Sequence, residues 1–152
     1  MINLVLFQPE IPHNTGAVGR TCVCLNANLH LIKPLGFHLT DKYIKRAGMD
    51  YWPFLNVTLH DSWSAFLESE DPDVLSFAST KGDKTYFEHD FKEDEYVVFG
   101  SESRGLPSEF YEEYRDNLIT IPMPGEHARS LNLANSVSII AYEAYRQLTI
   151  KN

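Results

Sequence analysis

A helix that opens Ser130-Leu131-Asn132-Leu133-Ala134-Asn135 carries polar side chains in its first turns. Asn and Ser lower helix propensity because they hydrogen-bond the backbone in competing conformations. Asn132 and Asn135, three apart, fall on one side of the helix, and Ser130 is placed to cap it. Such a helix end suits a ligand that takes amide and hydroxyl contacts. A second cluster is "NTGAVGR", Asn14 to Arg20. Asn14 is a good N-cap for a helix from Thr15, and Gly16, Gly19 and Arg20 share one helix face. Each helical glycine costs about 1 kcal/mol relative to alanine. The bared face therefore admits close backbone approach or simply packs, and Arg20 is a functional or a solvated cation. A third is "FGSESRGLP", where Glu102 sits between two serines in a tight turn flanked by Gly100 and Gly105. It lacks the Gly-Lys-Ser/Thr of a phosphate loop and does not match Gly-x-Gly-x-x-Gly.

Short, nearly continuous apolar runs must position these residues: Ile2–Phe7, Leu29–Ile32, Leu55–Leu59, Val74–Phe77, Tyr96–Phe99 and Leu118–Ile121. Continuous rather than alternating hydrophobicity predicts strands covered on both faces. Helices are expected at Thr15–Asn26, Asp41–Gly48, Ser62–Glu68 and Leu131–Leu148, with a short turn near Ser108–Tyr114. The alternation predicts an α/β single domain, a mostly parallel six-stranded sheet with helices on both faces. Ligands of such sheets bind outside the carboxyl ends of the strands. The loops after Phe7, Phe77, Phe99 and Ile121 are therefore the candidate site. The second of these, "ASTKGDK" (Ala78 to Lys84), is the least distinctive.

Composition bounds the possibilities. The 152 residues are 43% apolar, enough for one sizeable core, and no apolar run approaches the roughly 20 residues of a membrane span. No signal peptide is read at Met1-Ile2-Asn3-Leu4. Cys22 and Cys24 project differently from one helix and cannot bridge; both are expected as reduced packing residues of a cytoplasmic protein. His13, His60, His89 and His127 are scattered, and no metal site is expected in them. A net charge of −8 alone points away from nucleic acid and toward a small-molecule enzyme or a soluble partner. The last helix is apolar over more than one stripe, which in a chain this small suggests a subunit interface.

Together "NTGAVGR", "GSESRGLP" and "IPMPGEHARSLNLANSVS" resemble, in order and over essentially the whole chain, the motifs of the SPOUT superfamily of knotted methyltransferases, in its ribose 2′-O-methylating branch. "MINLVLFQPEIPHNTG", "DKYIKRAGMDYW" and "AYEAYRQL" are similar to the subgroup that acts on the tRNA wobble nucleotide. The resemblance implies a C-terminal deep trefoil knot, a rare exception to the rule against threading. It implies one domain over residues 1–152 with no separate RNA-binding domain. The implied cofactor is S-adenosyl-L-methionine, leaving as S-adenosyl-L-homocysteine, held by Gly100, Glu102, Gly105, Ile121, Met123, Ser130 and Leu131, with Ala78 and Ser79 carried over less securely. The implied substrate is the wobble cytidine or carboxymethylaminomethyl-uridine of tRNA(Leu)-type molecules.

The resemblance assigns catalysis to Arg20, with Asn14, Glu102 and Asn132. A guanidinium pKa above roughly 12 makes a general base awkward. The expectation is that Arg20 binds the adjacent phosphate and stabilises the developing alkoxide, while the other three orient Arg20 and the ribose. A homodimer would offset the acidic balance by gathering Lys33, Lys42, Lys45, Arg46, Arg104 and Arg129 about a joint cleft. Lys42, Lys45, Arg46, Arg129 and Tyr142 are the candidate RNA contacts, although a solvated helix face or interface packing explains them equally. Two other classes stand beside this one: methylation of another tRNA or rRNA ribose, and a cofactor-binding dimeric scaffold without activity.

Overall fold

Leu4, Val5 and Leu6 are consecutive and all fully buried. Because strand side chains alternate, Leu4 and Leu6 join one apolar cluster and Val5 the other. A strand buried on both sides needs a layer on each. The computed structural model, which describes residues 1–40, 42–43 and 49–150, supplies both layers. Its strands are β1 (Asn3–Phe7), β2 (Asn28–Ile32), β3 (Val57–His60), β4 (Leu75–Ala78), β5 (Lys84–Thr85), β6 (Tyr96–Phe99) and β7 (Leu118–Thr120). They form one sheet in the order β3-β2-β1-β6-β4-β7-β5, with every pairing parallel.

The helices are α1 (Pro12–Leu25), α2 (Trp63–Glu70), α3 (Phe110–Glu113) and α4 (Leu133–Ile150). Val18 and Cys22 of α1 pack with Val137, Ile140, Ala141 and Ala144 of α4 on the face of Leu4 and Leu6. Phe66 of α2 and Phe110 of α3 pack with Phe77 and Val98 on the opposite face. The architecture is thus a three-layer α/β domain. Among the described residues no helix is long and apolar enough to cross a membrane.

Several local expectations need correction. Among the described residues the sheet has seven strands, not six, because Lys84 and Thr85 pair with Ile119 and Thr120 at the edge. This two-residue polar strand carries no hydrophobic signal. Helix α1 begins at Pro12, with Ile11 at the N-cap, so Asn14 lies inside the first turn and caps nothing. Proline at the first helical position loses no hydrogen bond there. Helix α4 begins at Leu133, and the Asn132 side chain accepts from the Asn135 N–H at 3.2 Å; the cap is Asn132 rather than Ser130. Cys22 is buried as expected, but Cys24 is exposed. The last helix is not apolar all round: Tyr145 is 49% exposed, while Val137, Ile140, Ala141 and Ala144 take the core side. Most of the helix expected at Asp41–Gly48 lies outside the described residues.

One buried carboxylate ties the last helix to the sheet. Glu95 is fully buried immediately before β6. It meets a His89 ring nitrogen at 2.7 Å and accepts from the Lys92 N–H at 2.9 Å. Gln147 of α4 accepts from the Phe91 N–H and donates to the His89 carbonyl. Burial pushes the Glu95 carboxyl up, but the His89 and Lys92 hydrogen bonds outweigh it and hold it below the ordinary value of 4.5. A depressed folded-state pKa stabilises fully above the unfolded value, and that gain is lost as pH falls through the folded value. Glu95→Gln therefore costs about 2 kcal/mol at pH 7, a melting-temperature loss of roughly 4–8 °C. Melts recorded across pH will show the gap from wild type narrowing below about pH 4.5.

Candidate active site

The loops after β1, β4, β6 and β7 converge on a single cleft of about 560 Å³ at the carboxyl ends of the strands. That volume lies within the range of small-molecule sites. The turn after β6 is its tightest wall. Ser101 and Gly105 exchange backbone hydrogen bonds at 3.2 and 2.9 Å, and Gly105 takes φ +67°. A Cβ on Gly100 would lie 2.2 Å from the Gly105 carbonyl carbon. Only glycine permits that approach.

Glu102 leaves this turn and reaches the start of α1. Its carboxylate accepts from the N–H groups of Glu10 at 3.0 Å and Ile11 at 2.6 Å, and from Asn14 Nδ2 at 3.2 Å. The first amides of a helix lack partners within it and favour an anion, so Glu102 supplies the cap that Ile11 cannot. Glu10 returns the clasp, accepting from the Ser103 N–H and hydroxyl, whose hydrogen bonds hold its carboxyl below the ordinary range. Asn132 Nδ2 donates to Asn14 Oδ1 at 3.0 Å, closing the chain Glu102–Asn14–Asn132 across the cleft. Three motifs far apart in sequence meet in one network.

All nine residues expected to hold the cofactor line this cleft: Ala78, Ser79, Gly100, Glu102, Gly105, Ile121, Met123, Ser130 and Leu131. Lys81, Tyr111 and Ser136 also line it and were not anticipated. The Lys81 ammonium lies 4.3 Å above the Tyr111 ring, a pairing of the loop after β4 with α3 that sequence spacing cannot reveal.

Arg20 does not line the cleft. It lies about 9 Å further along α1 than Asn14 and about 120° round the helix. There it borders a separate hollow of about 400 Å³ with His13, Tyr43, Tyr51 and Tyr142. Its guanidinium stands 5.6 Å from the Tyr51 ring centre. The Tyr51 hydroxyl donates to the Gly16 carbonyl, and burial raises its pKa against the pull of Arg20. The glycine face of α1 is occupied: a Cβ on Gly19 would meet Leu55 at 3.1 Å and Trp52 at 3.2 Å. Those glycines serve packing. The expected juxtaposition of Arg20 with Asn14, Glu102 and Asn132 is thus not made within one chain.

Of the candidate RNA contacts, Lys42 and Arg129 are exposed and line neither cavity. Tyr142 is 49% exposed beside Arg20. Lys45 and Arg46 lie outside the described residues.

The profile of the SpoU rRNA Methylase family matches residues 1–142. The chain belongs to this family. Among curated relatives of this SpoU protein, the tRNA (cytidine(34)-2′-O)-methyltransferase of Saccharophagus degradans is 48% identical, covering 97% of this chain and 96% of its own. The protein of the same description from Escherichia coli is 44% identical, covering 97% and 94%. A solved structure described as giving insights into 2-OH methylation of C/U34 on tRNA superposes with TM-score 0.87 at 52% identity, covering 98% of this chain and 97% of that one. The SpoU methyltransferase AviRb from Streptomyces viridochromogenes, in complex with AdoMet, gives TM-score 0.82 at 26% identity, covering 97% of this chain and 60% of that one.

Proposed function

We propose that this SpoU-family protein is a tRNA ribose 2′-O-methyltransferase that uses S-adenosyl-L-methionine and acts on the wobble nucleotide. The observation that carries the reading is the end-to-end likeness to tRNA (cytidine(34)-2′-O)-methyltransferases. The lining of the cleft supports the cofactor reading: Ile121, Met123 and Leu131 offer apolar surface, and Ser130 and Asn132 offer polar groups. When bound, the cofactor supplies an electrophilic methyl group on a sulfonium. The ribose oxygen gains that methyl and loses its proton, so it must be held in line and its developing charge met. Positioning of that kind is worth about 7–11 kcal/mol in well-oriented systems. Glu102 and Asn14 brace the start of α1 against the cofactor turn, and Asn132 carries the brace to α4.

Arg20 would contact the phosphate beside the target ribose and stabilise the alkoxide, as expected from the motif. Because Arg20 lies outside its own chain's cleft, the proposed homodimer would bring the Arg20 hollow of one protomer to the cleft of the other. The exposed Tyr142, which lines that hollow, and Tyr145, whose ring centre lies 6.4 Å from that of Tyr142, support an interface there. Lys42, Lys45, Arg46 and Arg129 would then ring the joint site, and residues 1–152 act as one domain whose RNA grip depends on pairing. A trefoil knot at the C-terminal end is part of this reading. It is supported by β7 lying between β4 and β5 and by the strap from Ile121 to Asn132 that closes the cleft. The work would take place in the cytoplasm, on wobble cytidine or carboxymethylaminomethyl-uridine of tRNA(Leu)-type substrates.

Incubation with labelled S-adenosyl-L-methionine and total tRNA, followed by nucleoside mapping, tests the reading. Label in a 2′-O-methylated wobble nucleotide is expected. Label confined to another tRNA position or to rRNA would replace the substrate, and cofactor binding without transfer would leave only a scaffold.

A further inference from the structure

Parallel pairing of β2 with β3 and the return of α2 over that edge bring together three side chains that the methyl-transfer cleft does not use. His30 and His60 are 4% and 5% exposed. His30 Nδ1 lies 3.0 Å from His60 Nε2. Glu70, the last residue of α2, places Oε1 3.6 Å from the first nitrogen and 3.7 Å from the second. We propose that His30, His60 and Glu70 form a binding site for one zinc-type divalent cation, with a water completing four-coordination.

The spacing carries the proposal. At 3.6 and 3.7 Å the carboxylate oxygen is beyond hydrogen-bond range of either ring. A triangle with these three sides has a circumradius of about 2.0 Å, which is the length of zinc bonds to imidazole nitrogen and carboxylate oxygen. One ion would therefore satisfy all three atoms without their moving. Two histidines and one glutamate are a known zinc ligand set, and the metal keeps one open position. Glu70 and His60 have outer partners, while His30 Nε2 is buried without one. The Tyr96 hydroxyl donates to Glu70 Oε2 at 3.1 Å, fixing the carboxylate. Ser69 Oγ lies 3.4 Å from His60 Nδ1, the nitrogen that faces away from the site. Phe66 and Tyr96 pack about the His30 ring. Burial holds both imidazoles below the usual histidine range, against the opposing pull of Glu70. Glu70, partly exposed, provides the way in from solvent.

The expected effect of the ion is on stability. The site joins β2, the edge strand β3 and the end of α2, at the side of the sheet away from the cleft. A bound ion would pin that edge.

Chelator-treated protein titrated with Zn²⁺ alone, and with Co²⁺ as a spectroscopic substitute, tests the site. The wild type should bind one equivalent, show the strong visible bands of tetrahedral Co²⁺, and melt at higher temperature with Zn²⁺ present. Glu70→Gln, which keeps the Tyr96 partner, should abolish the bands and the thermal gain. Tyr96→Phe should weaken affinity about 10–100-fold, as loss of an outer partner does. Absence of binding at submillimolar Zn²⁺ would overturn the proposal. So would equal stoichiometry and affinity in wild type and Glu70→Gln, which would assign the metal to exposed histidines such as His13 or His127. Melts of each metal-free variant verify that it is folded.

Discussion

Replacing Arg20 with Ala should lower methyl transfer to tRNA by about 10²–10³-fold, the usual cost of losing one preorganised group that meets transition-state charge. The affinity for S-adenosyl-L-methionine should stay near wild type, because the proposed partners of Arg20 are the substrate phosphate and the developing alkoxide, and it borders no cofactor wall of its own chain. Single-turnover rates and cofactor titration separate the two quantities; equal loss of both refutes the assignment. The proposed dimer adds a sharper test. If Arg20 serves the partner's cleft, mixing Arg20→Ala with Asn132→Ala protein restores activity that neither has alone. Recovery should reach about a quarter of the wild-type rate, since random pairing makes half the dimers mixed and each holds one complete site. No recovery after verified subunit exchange would place Arg20 in its own chain's site or remove it from the chemistry.

Gly100→Ala should damage both stability and cofactor binding. The added Cβ would lie 2.2 Å from the Gly105 carbonyl carbon and 2.4 Å from the Leu106 nitrogen. Both are backbone atoms, so no side-chain rotation relieves the overlap. The turn that Ser101 and Gly105 close must open. Overpacking of this kind costs about 3 kcal/mol, or a melting-temperature loss of roughly 6–12 °C for a domain of this size. Opening the turn also withdraws Glu102 from the amides of Glu10 and Ile11 and so disturbs the start of α1. Cofactor affinity should fall together with the melting temperature, as read by calorimetry and thermal melts. Gly125 is the control: a Cβ there meets nothing within 4 Å, and alanine should be tolerated.

The residue runs alone carried the fold class and the address of the site. Strands buried on both faces read as short continuous apolar runs, and parallel sheets bind ligands at their carboxyl ends; both signals are local. Hence four loops could be named in advance, and all nine residues that the family resemblance picks out as expected cofactor contacts line one cleft. What depended on distant partners was not legible. Asn14 looked like a cap, yet the cap comes from Glu102, 88 residues away. Gly16 and Gly19 left close approach and packing both open, and Met49, Tyr51, Trp52 and Leu55, which cover them, decide for packing. The polar pair Lys84–Thr85 became a strand only because β7 offered it an edge.

Arg20 and the histidine pair mark the same boundary. Helical periodicity puts Arg20 on a face, but the packing of α1 against α4 and the Met49–Leu55 segment turns that face from the cleft. His30 and His60 stand thirty residues apart, and only the β2–β3 register, with Ile32 beside His60, draws their nitrogens to 3.0 Å. Propensity, caps and hydrophobic period act over a few residues and can be read from a string. Which loops share a wall, and which imidazoles share a gap, follows from chain closure over tens of residues, where each contact exists only because the rest of the fold has formed.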